Sequence, residues 1–289
     1  MTVSIVNWNT RDELAGCLDS VLRQEGGSYE IIVVDNGSQD GSAEMVKLRY
    51  PRTSLIATNH NLGFSRAQNQ ALGLSRGRYI LMLNPDARIV ETNALAKLVA
   101  FADSEPKVGV IGLRVLNNDG SLQFSARRFP TLRAGLFRNT FLGRLFPKNK
   151  YVAQYLMADW DHNEVRDVDW VSGAAMAIRR EALEQIGPLD ERFFMYCEDV
   201  DFCYRAHQNG WRVCYFPQST VTHRIAAASD LAQVRMIYHF HRSMRLFFNK
   251  HYAREWLFYT RMIVLVGLAA RAGSFIALNL IKRLLRIRT

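Results

Sequence analysis

The chain has 289 residues, 48% of them apolar and 22% charged, a globular composition that excludes a disordered protein and leaves room for one large domain with a small appendage. Its formal net charge is +10, and eight Lys or Arg against one Glu fall between Lys250 and Thr289, so most of the excess belongs to the terminal segment. A remainder close to balance argues against a nucleic-acid partner, while a basic, apolar terminus points to an anionic membrane surface.

The first 85 residues alternate strand and helix signals. Val3 to Val6 reads as a strand that begins almost at once, which leaves no room for a signal peptide. Thr10 opens an expected capping box with Glu13, followed by Leu14, Leu18, Val21 and Leu22 at helical spacing. Ile31 to Val34 is an unbroken β-branched run of the kind that suits a strand covered on both faces. Leu55 to Thr58, a helix over 65–75 and a strand over Tyr79 to Leu83 complete the alternation. Short links between such elements predict an α/β fold with a mostly parallel, doubly wound sheet.

Sheets of this kind bind ligands beyond the carboxyl ends of their strands, and the polar clusters fall there: Asn7, Asp35, Asn59 and Asn84-Pro85-Asp86. Beyond Asp86 the pattern predicts a helix from Thr92, a strand near Val108 to Ile111 and a hairpin around Asn118-Asp119-Gly120. Residues 127–167 read as an irregular acceptor-side loop region. Trp170 to Ile178 is apolar and strand-like, a helix is expected over Glu198 to Asn209, and Trp211 to Phe216 and Ser219 to His223 read as strands. Cys17, Cys197, Cys203 and Cys214 lack disulfide or zinc spacing and are expected to be reduced packing residues of a cytosolic protein.

Several of these residues have a chemical and a bland reading. Asp35 can accept a hydrogen bond from a nucleobase N–H, yet Asp35-Asn36-Gly37-Ser38 is also ordinary turn chemistry. Asp86 can hold Mg²⁺ or Mn²⁺ against a diphosphate, or belong to a proline turn. Glu198, Asp199 and Asp201 can supply a general base, or can simply be acids favoured by the dipole in the first turn of a helix. Gly173 lets a ligand approach the backbone or strands pack tightly. Arg66 and Asn69 can reach diphosphate or ribose, or lie in solvent, as can the phosphate candidates Arg127 and Arg128.

In combination, the segments V-S-I-V-N-W at 3–8, V-V-D-N-G-S at 33–38, N-x-N-L-G-F-S-R-A-x-N at 59–69 and L-N-P-D at 83–86 are specific. Together with W-V-S-G-A-A-M-A-I-R-R at 170–180 and F-F-M-Y-C-E-D-V-D-F-C-Y-R at 193–205, they resemble family 2 glycosyltransferases, most closely the bacterial rhamnosyltransferase-like branch. The resemblance covers residues 3–225 and implies a GT-A fold, a divalent metal (Mg²⁺ or Mn²⁺) and inversion at the anomeric carbon. It implies nucleotide contacts from Asn7, Asp35, Asn36, Gly37, Asn61, Gly63, Arg66, Asn69 and Asn84. It further implies metal ligation by Asp86 and His223, a base at Asp199 assisted by Glu198, and donor or acceptor contacts from Trp170, Ser172, Gly173 and Asp201. Many relatives carry Asp-x-Asp where this chain has Asn84-Pro85-Asp86, which removes one ligand charge.

The expected organisation is a transferase domain over 1–225 and a helical, basic and apolar extension over 226–289. Met262 to Ile281 spans about 30 Å as a helix, nominally enough for a bilayer, but Arg271 at its centre costs roughly 2.5–3.5 kcal/mol there. An in-plane interfacial helix therefore fits better than a spanning one, with packing on the domain or on a partner subunit of a homo-oligomer as the third option. The expected activity is transfer of L-rhamnose from dTDP-rhamnose to a glycan or lipid-linked acceptor in cell-surface polysaccharide synthesis, at the inner face of the cell membrane. A UDP-hexose, UDP-galactofuranose or GDP-mannose donor is the alternative within the class. A sugar nucleotidyltransferase is disfavoured because Val3 to Arg11 contains no glycine for a triphosphate loop. A catalytically idle binding protein is disfavoured by the joint presence of Asp35, Asp86, Asp199 and His223.

Overall fold

A computed structural model describes residues 1–138, 140–224, 233–253 and 258–287, with the side chains of 141, 233, 260 and 278–287 excepted. The expected domain boundary at residue 225 and the basic side chains of Arg254, Lys282, Arg283, Arg286 and Arg288 lie outside that description.

The N-terminal half runs β1 (Thr2–Asn7), α1 (Arg11–Leu22), β2 (Glu30–Asp35), α2 (Ser42–Arg49), β3 (Ser54–Ala57), α3 (Phe64–Leu74) and β4 (Tyr79–Leu83). These strands lie parallel in the order β3-β2-β1-β4. The unbroken apolar runs are explained by burial on both faces. Ile31 and Val33 pack with Leu14, Leu18 and Val21 of α1, whereas Ile32 and Val34 pack with Ala67 and Ala71 of α3.

The remaining elements are β5 (Ala87–Ile89), α4 (Ala94–Ser104), β6 (Val108–Leu116), β7 (Ala126–Arg127), α5 (Leu132–Phe137), α6 (Phe141–Leu145), α7 (Lys150–Leu156), β8 (Arg166–Asp167) and β9 (Trp170–Val171). They are followed by β10 (Ala175–Arg179), α8 (Arg180–Ile186), α9 (Glu198–Gln208), β11 (Arg212–His223), α10 (Gln233–His251) and α11 (Phe258–Ile287). The main sheet reads β3-β2-β1-β4-β10-β6-β11-β5, with β8 paired to β11.

Four features differ from the sequence reading. Strand β10 is antiparallel to both neighbours, β4 and β6, and interrupts the parallel sheet. The apolar segment at 170–178 is divided: β9 pairs with β7 in a separate small sheet, and only β10 joins the main one. The region 127–167 holds three short helices, each started by a side chain that accepts a backbone N–H three residues on: Thr131, Thr140 and Asn149. The capping box at Thr10 is absent, because Thr10 Oγ1 donates to Asn7 Oδ1 at 2.7 Å and Glu13 instead meets Arg224 at 2.8 Å.

The two C-terminal helices pack on one another and on the domain. Arg242 donates to the Arg192 carbonyl and Ser243 to that of Met195, so α10 lies along the segment that leads into α9. On α11, Arg271 lies over Phe240 and Phe275, with its guanidinium turned towards α10. No described helix is long and apolar enough to cross a membrane.

Candidate active site

The loops after β1, β2 and β3 form one hydrogen-bonded unit at the carboxyl edge of the sheet. Asn7 donates to Asp35 Oδ2 at 3.0 Å and to Ser38 Oγ at 3.1 Å, while the Ser38 N–H donates to Asp35 Oδ1 at 3.0 Å. The turn reading of Asp35 is thus realised, and each of its oxygens keeps a further lone pair for a ligand. Asn36 donates to Asn61 Oδ1 and to the Gly63 carbonyl, and accepts the Leu62 N–H. Gly37 has φ +78°, and a Cβ there would come within 2.6 Å of the His60 backbone. Gly63, at φ +88°, lies against Phe194, whose carbonyl accepts the Phe64 N–H at 2.6 Å. These loops are therefore tied to the segment that precedes α9.

Beyond β4, Asp86 and His223 converge. His223 sits at the end of β11, opposite Ala87 of β5, and its Nε2 is 3.2 Å from Asp86 Oδ1 and 3.2 Å from Asn84 Nδ2. Gln123, which carries no motif or local pattern, fixes the ring. Its Nε2 donates to the His223 carbonyl at 2.7 Å, so its Oε1 is the atom that faces His223 Nδ1 at 3.0 Å. In the neutral ring the proton then sits on Nδ1, and Nε2 accepts from the Asn84 side-chain amide, with the Asp86 carboxylate beside it. A carboxylate oxygen and an imidazole nitrogen 3.2 Å apart are a ligand pair that a divalent cation can take up. A histidine whose other nitrogen is held by a carbonyl oxygen is the ordinary arrangement of a metal ligand. Among the described residues no three His, Cys, Asp or Glu side chains converge, so protein ligands alone do not close a coordination sphere.

The turn at 172–174 connects this corner to the acidic pair. Asn84 N–H donates to the Ala174 carbonyl at 3.0 Å, and Gly173 N–H donates to Asp199 Oδ2 at 3.0 Å. Asp199 also accepts the Val200 N–H on Oδ1 at 2.8 Å. Burial raises the Asp199 carboxyl above its ordinary range, opposed by these two N–H donors and by the positive charge of Arg127. Glu198 is buried, its Oε2 has no partner, and burial together with the neighbouring Asp199 pushes its carboxyl well up. Of the two, Glu198 is the one that keeps a proton, and Asp199 is the one whose carboxylate the backbone supports. Tyr196 and Cys197, just before α9, both adopt positive φ, at 70° and 64°, a strained approach that fixes where the pair projects.

Around the pair, Trp170 is buried and donates its Nε1–H to the Arg128 carbonyl, with the Arg127 guanidinium 4.9 Å above its ring. The Ser172 N–H donates to Ser125 O, and its hydroxyl oxygen lies 3.4 Å from the Ala174 N–H. Gly173 has an ordinary backbone conformation, and a Cβ there would meet Asp199 only at normal contact distance, so the tight-packing reading does not apply.

Three of the expected ligand contacts are engaged elsewhere. Asp201 is fully buried and faces away from Asp199: it pairs with Lys250 at 2.6 Å, His251 at 2.7 Å and Arg205 at 2.9 Å, anchoring α10 on α9. Both ends of the Asn69 carboxamide are taken by Leu189, whose N–H and carbonyl lie at 3.0 and 2.9 Å. It is a clamp between α3 and the segment after α8. Arg66 forms an exposed pair with Glu191 at 3.9 Å, a contact of little energetic weight.

A parallel half-sheet with polar loops at its carboxyl edge, an antiparallel strand leading into the second half and an acidic pair at a helix start are the arrangement of the GT-A glycosyltransferase fold. The chain belongs to glycosyl transferase family 2, whose family model matches residues 2–187. It is 30% identical, across 97% of its length and 94% of the relative's, to the N-acetylglucosaminyl-diphospho-decaprenol L-rhamnosyltransferase of Mycobacterium tuberculosis. Its fold is similar to that of S. aureus TarS 1-349 in complex with UDP-GlcNAc, at a TM-score of 0.59 and 19% identity, over 95% of this chain and 72% of that one. It is also similar to the mannosyltransferase PcManGT of Pyrobaculum calidifontis in complex with GDP-Man and Mn²⁺, at a TM-score of 0.56 and 18% identity, over 98% and 80% of the two chains.

Proposed function

We propose that the chain is an inverting rhamnosyltransferase that moves L-rhamnose from a dTDP-linked donor to a sugar carried on a lipid diphosphate, during cell-surface polysaccharide synthesis at the inner face of the membrane. The transferred sugar and the acceptor follow the name of the mycobacterial relative, which aligns with nearly the whole chain, and the dTDP carrier is the proposal's own addition. The observation that carries the chemistry is the Gly173–Asp199 hydrogen bond, which holds a carboxylate beside the turn that also receives Asn84.

In this reading the nucleoside end of the donor lies on the loops of Asn7, Asp35, Asn36, Gly37, Asn61 and Gly63. Its diphosphate lies towards Asn84, Asp86 and His223. Asp86 and His223 would hold a divalent ion, which would supply positive charge against the departing diphosphate. Asp199 accepts the acceptor hydroxyl's proton as that oxygen bonds to the anomeric carbon and the bond to the nucleoside diphosphate breaks. Its raised affinity for a proton suits that role, because a base is most effective when its pKa lies near the working pH. Trp170 and Ser172 border the place where donor sugar and acceptor meet.

Thermal stabilisation by free nucleotides, with and without Mn²⁺, tests the donor. Protection by dTDP at lower concentration than by UDP or GDP is expected. Preferential protection by UDP or GDP would overturn the rhamnose assignment and leave the transferase class intact.

A further inference from the structure

The positive charge of the chain is concentrated in two places. Between Gly120 and Ala158 there are seven Lys or Arg and no Asp or Glu. With the eight-to-one excess that runs from Lys250 to Thr289, these two segments carry +14, and the rest of the chain is net −4 against a total of +10. The first segment runs through β7 into the helical insert α5–α7, which holds five of these residues, Arg133, Arg138, Arg144, Lys148 and Lys150. It exposes Leu136, Leu145 and Phe146 at 56–57% alongside Arg133, Arg144 and Lys148, a mixture that neither a core nor an ordinary solvated face requires.

The second segment presents an apolar face. Tyr259, Ile263 and Val266 of α11 follow one side of the helix at spacings of four and three, and are 79%, 71% and 62% exposed. Arg271, the charge that opposes burial of this helix in lipid, points the other way: it lies over Phe240 and Phe275, and its Nη2 donates to the Arg138 carbonyl at 3.3 Å. Arg138 is the residue that ends α5, so α11 and the insert are joined through this contact. At its other end the insert is continuous with Arg127, which lies over Trp170 and whose charge is felt by Asp199.

We infer that the basic, apolar face of α5–α7 seats on an anionic phospholipid bilayer, with the apolar outer face of α11 as a second contact and the insert supplying most of the described charge. The apolar side chains enter the headgroup region while Arg133, Arg144 and Lys148 meet lipid phosphates. Through Arg127 and Trp170 the insert is linked to the surroundings of Asp199, so its seating would turn the site towards a membrane-held acceptor. The inference rests on the proposed lipid-linked acceptor for its purpose, and on charge and exposure for its observations.

The test is co-sedimentation of the full chain with vesicles of phosphatidylcholine, alone or mixed with phosphatidylglycerol. Each basic residue near an anionic surface contributes roughly fivefold to binding. Arg144→Glu/Lys148→Glu should therefore weaken recovery on the mixed vesicles at least about tenfold, and Leu145→Ser/Phe146→Ser should weaken it as well. Transfer to a water-soluble acceptor should stay at the parent rate in both, which excludes misfolding. Parent binding that is equal on the two vesicle types, or absent, would overturn the inference. So would normal binding by both insert variants while Ile263→Asp/Val266→Asp abolishes it. Loss of rhamnose transfer by the parent, with vesicle binding still dependent on the insert, would contradict the proposed donor alone.

Discussion

The Gly173 main-chain N–H donates to Oδ2 of Asp199 at 3.0 Å, so the side chain proposed as base is held by a turn and not by another side chain. The following residue, Ala174, accepts the N–H of Asn84 from the Asp86 corner. The two acidic ends of the site are thereby set relative to each other through one stretch of backbone. The Gly173–Ala174 backbone is common to both ends, so a variant at Asp86 should leave the Asp199 end in place, and an Asp199 variant that keeps an acceptor oxygen should keep the link to Gly173.

Glu198 gives a prediction about stability. The folded chain retains its proton at pH values where the unfolded chain has released it, so the folded state binds more protons and stability falls as pH rises through that window. Glu198→Gln cannot titrate. The melting temperature of the variant relative to the parent should therefore rise with pH above the ordinary glutamate range of about 4.3. A difference independent of pH would remove the argument that burial keeps this acid protonated.

Gln123 offers a test of the metal corner that does not touch a proposed ligand. Its carboxamide sets the tautomer and orientation of His223 from 100 residues away in sequence. Gln123→Leu should lower Mn²⁺ affinity about 10–100-fold, measured calorimetrically in the presence of nucleotide. His223→Ala should lower it at least as much. Equal affinity in the Gln123 variant and the parent would show that ring orientation is set by something else.

Asp201 separates a structural acid from a catalytic one. Burial alone would raise its carboxyl, but His251, Arg205 and Lys250 outweigh that and hold it below the ordinary range. Its contribution to stability is thus present at neutral pH and is lost as pH falls through the lowered value. Asp201→Asn should destabilise by about 1–3 kcal/mol in urea unfolding at neutral pH, since it removes the buried carboxylate shared by Arg205, Lys250 and His251, while Lys250 keeps its pair with Asp190 at 2.7 Å. The donor KM of the folded variant should be unchanged; a large rise in KM would restore the ligand contact that the structure gives no support.

The nucleotide loop is tested at Gly37. Its φ of +78° and the His60 backbone 2.6 Å from a Cβ both act against a side chain. Gly37→Ala should cost about 1–3 kcal/mol of stability and weaken nucleotide binding, as read by equilibrium dialysis. Parent-like binding and stability would mean that the loop tolerates rearrangement.

The nucleotide-binding half of the fold is legible in the sequence because β-branched runs and short links force a parallel sheet, and such a sheet places its loops at one edge. That logic locates Asp35 and Asp86 from residue order alone. Strand direction leaves no trace in periodicity, so the antiparallel β10 is not legible, and neither is the division of 170–178 between two sheets. The helices α5–α7 are too short for a periodic signal, although Thr131, Thr140 and Asn149 are visible as N-cap residue types. Asp201 lies two positions from Asp199, which on a helix puts it on the opposite side, and Arg205 four positions on is its visible partner. Gln123 acts on His223 only through tertiary placement and has no local signal.

The most direct measurement is single-turnover transfer by Asp199→Asn, together with its affinity for the donor nucleotide. The amide preserves shape and can still accept one of the two N–H groups, from Gly173 or from Val200, but it cannot take a proton. If Asp199 is the base, the rate of transfer falls by roughly 10²–10⁴ while nucleotide affinity and melting temperature stay near those of the parent. A transfer rate within a few-fold of the parent would contradict the account.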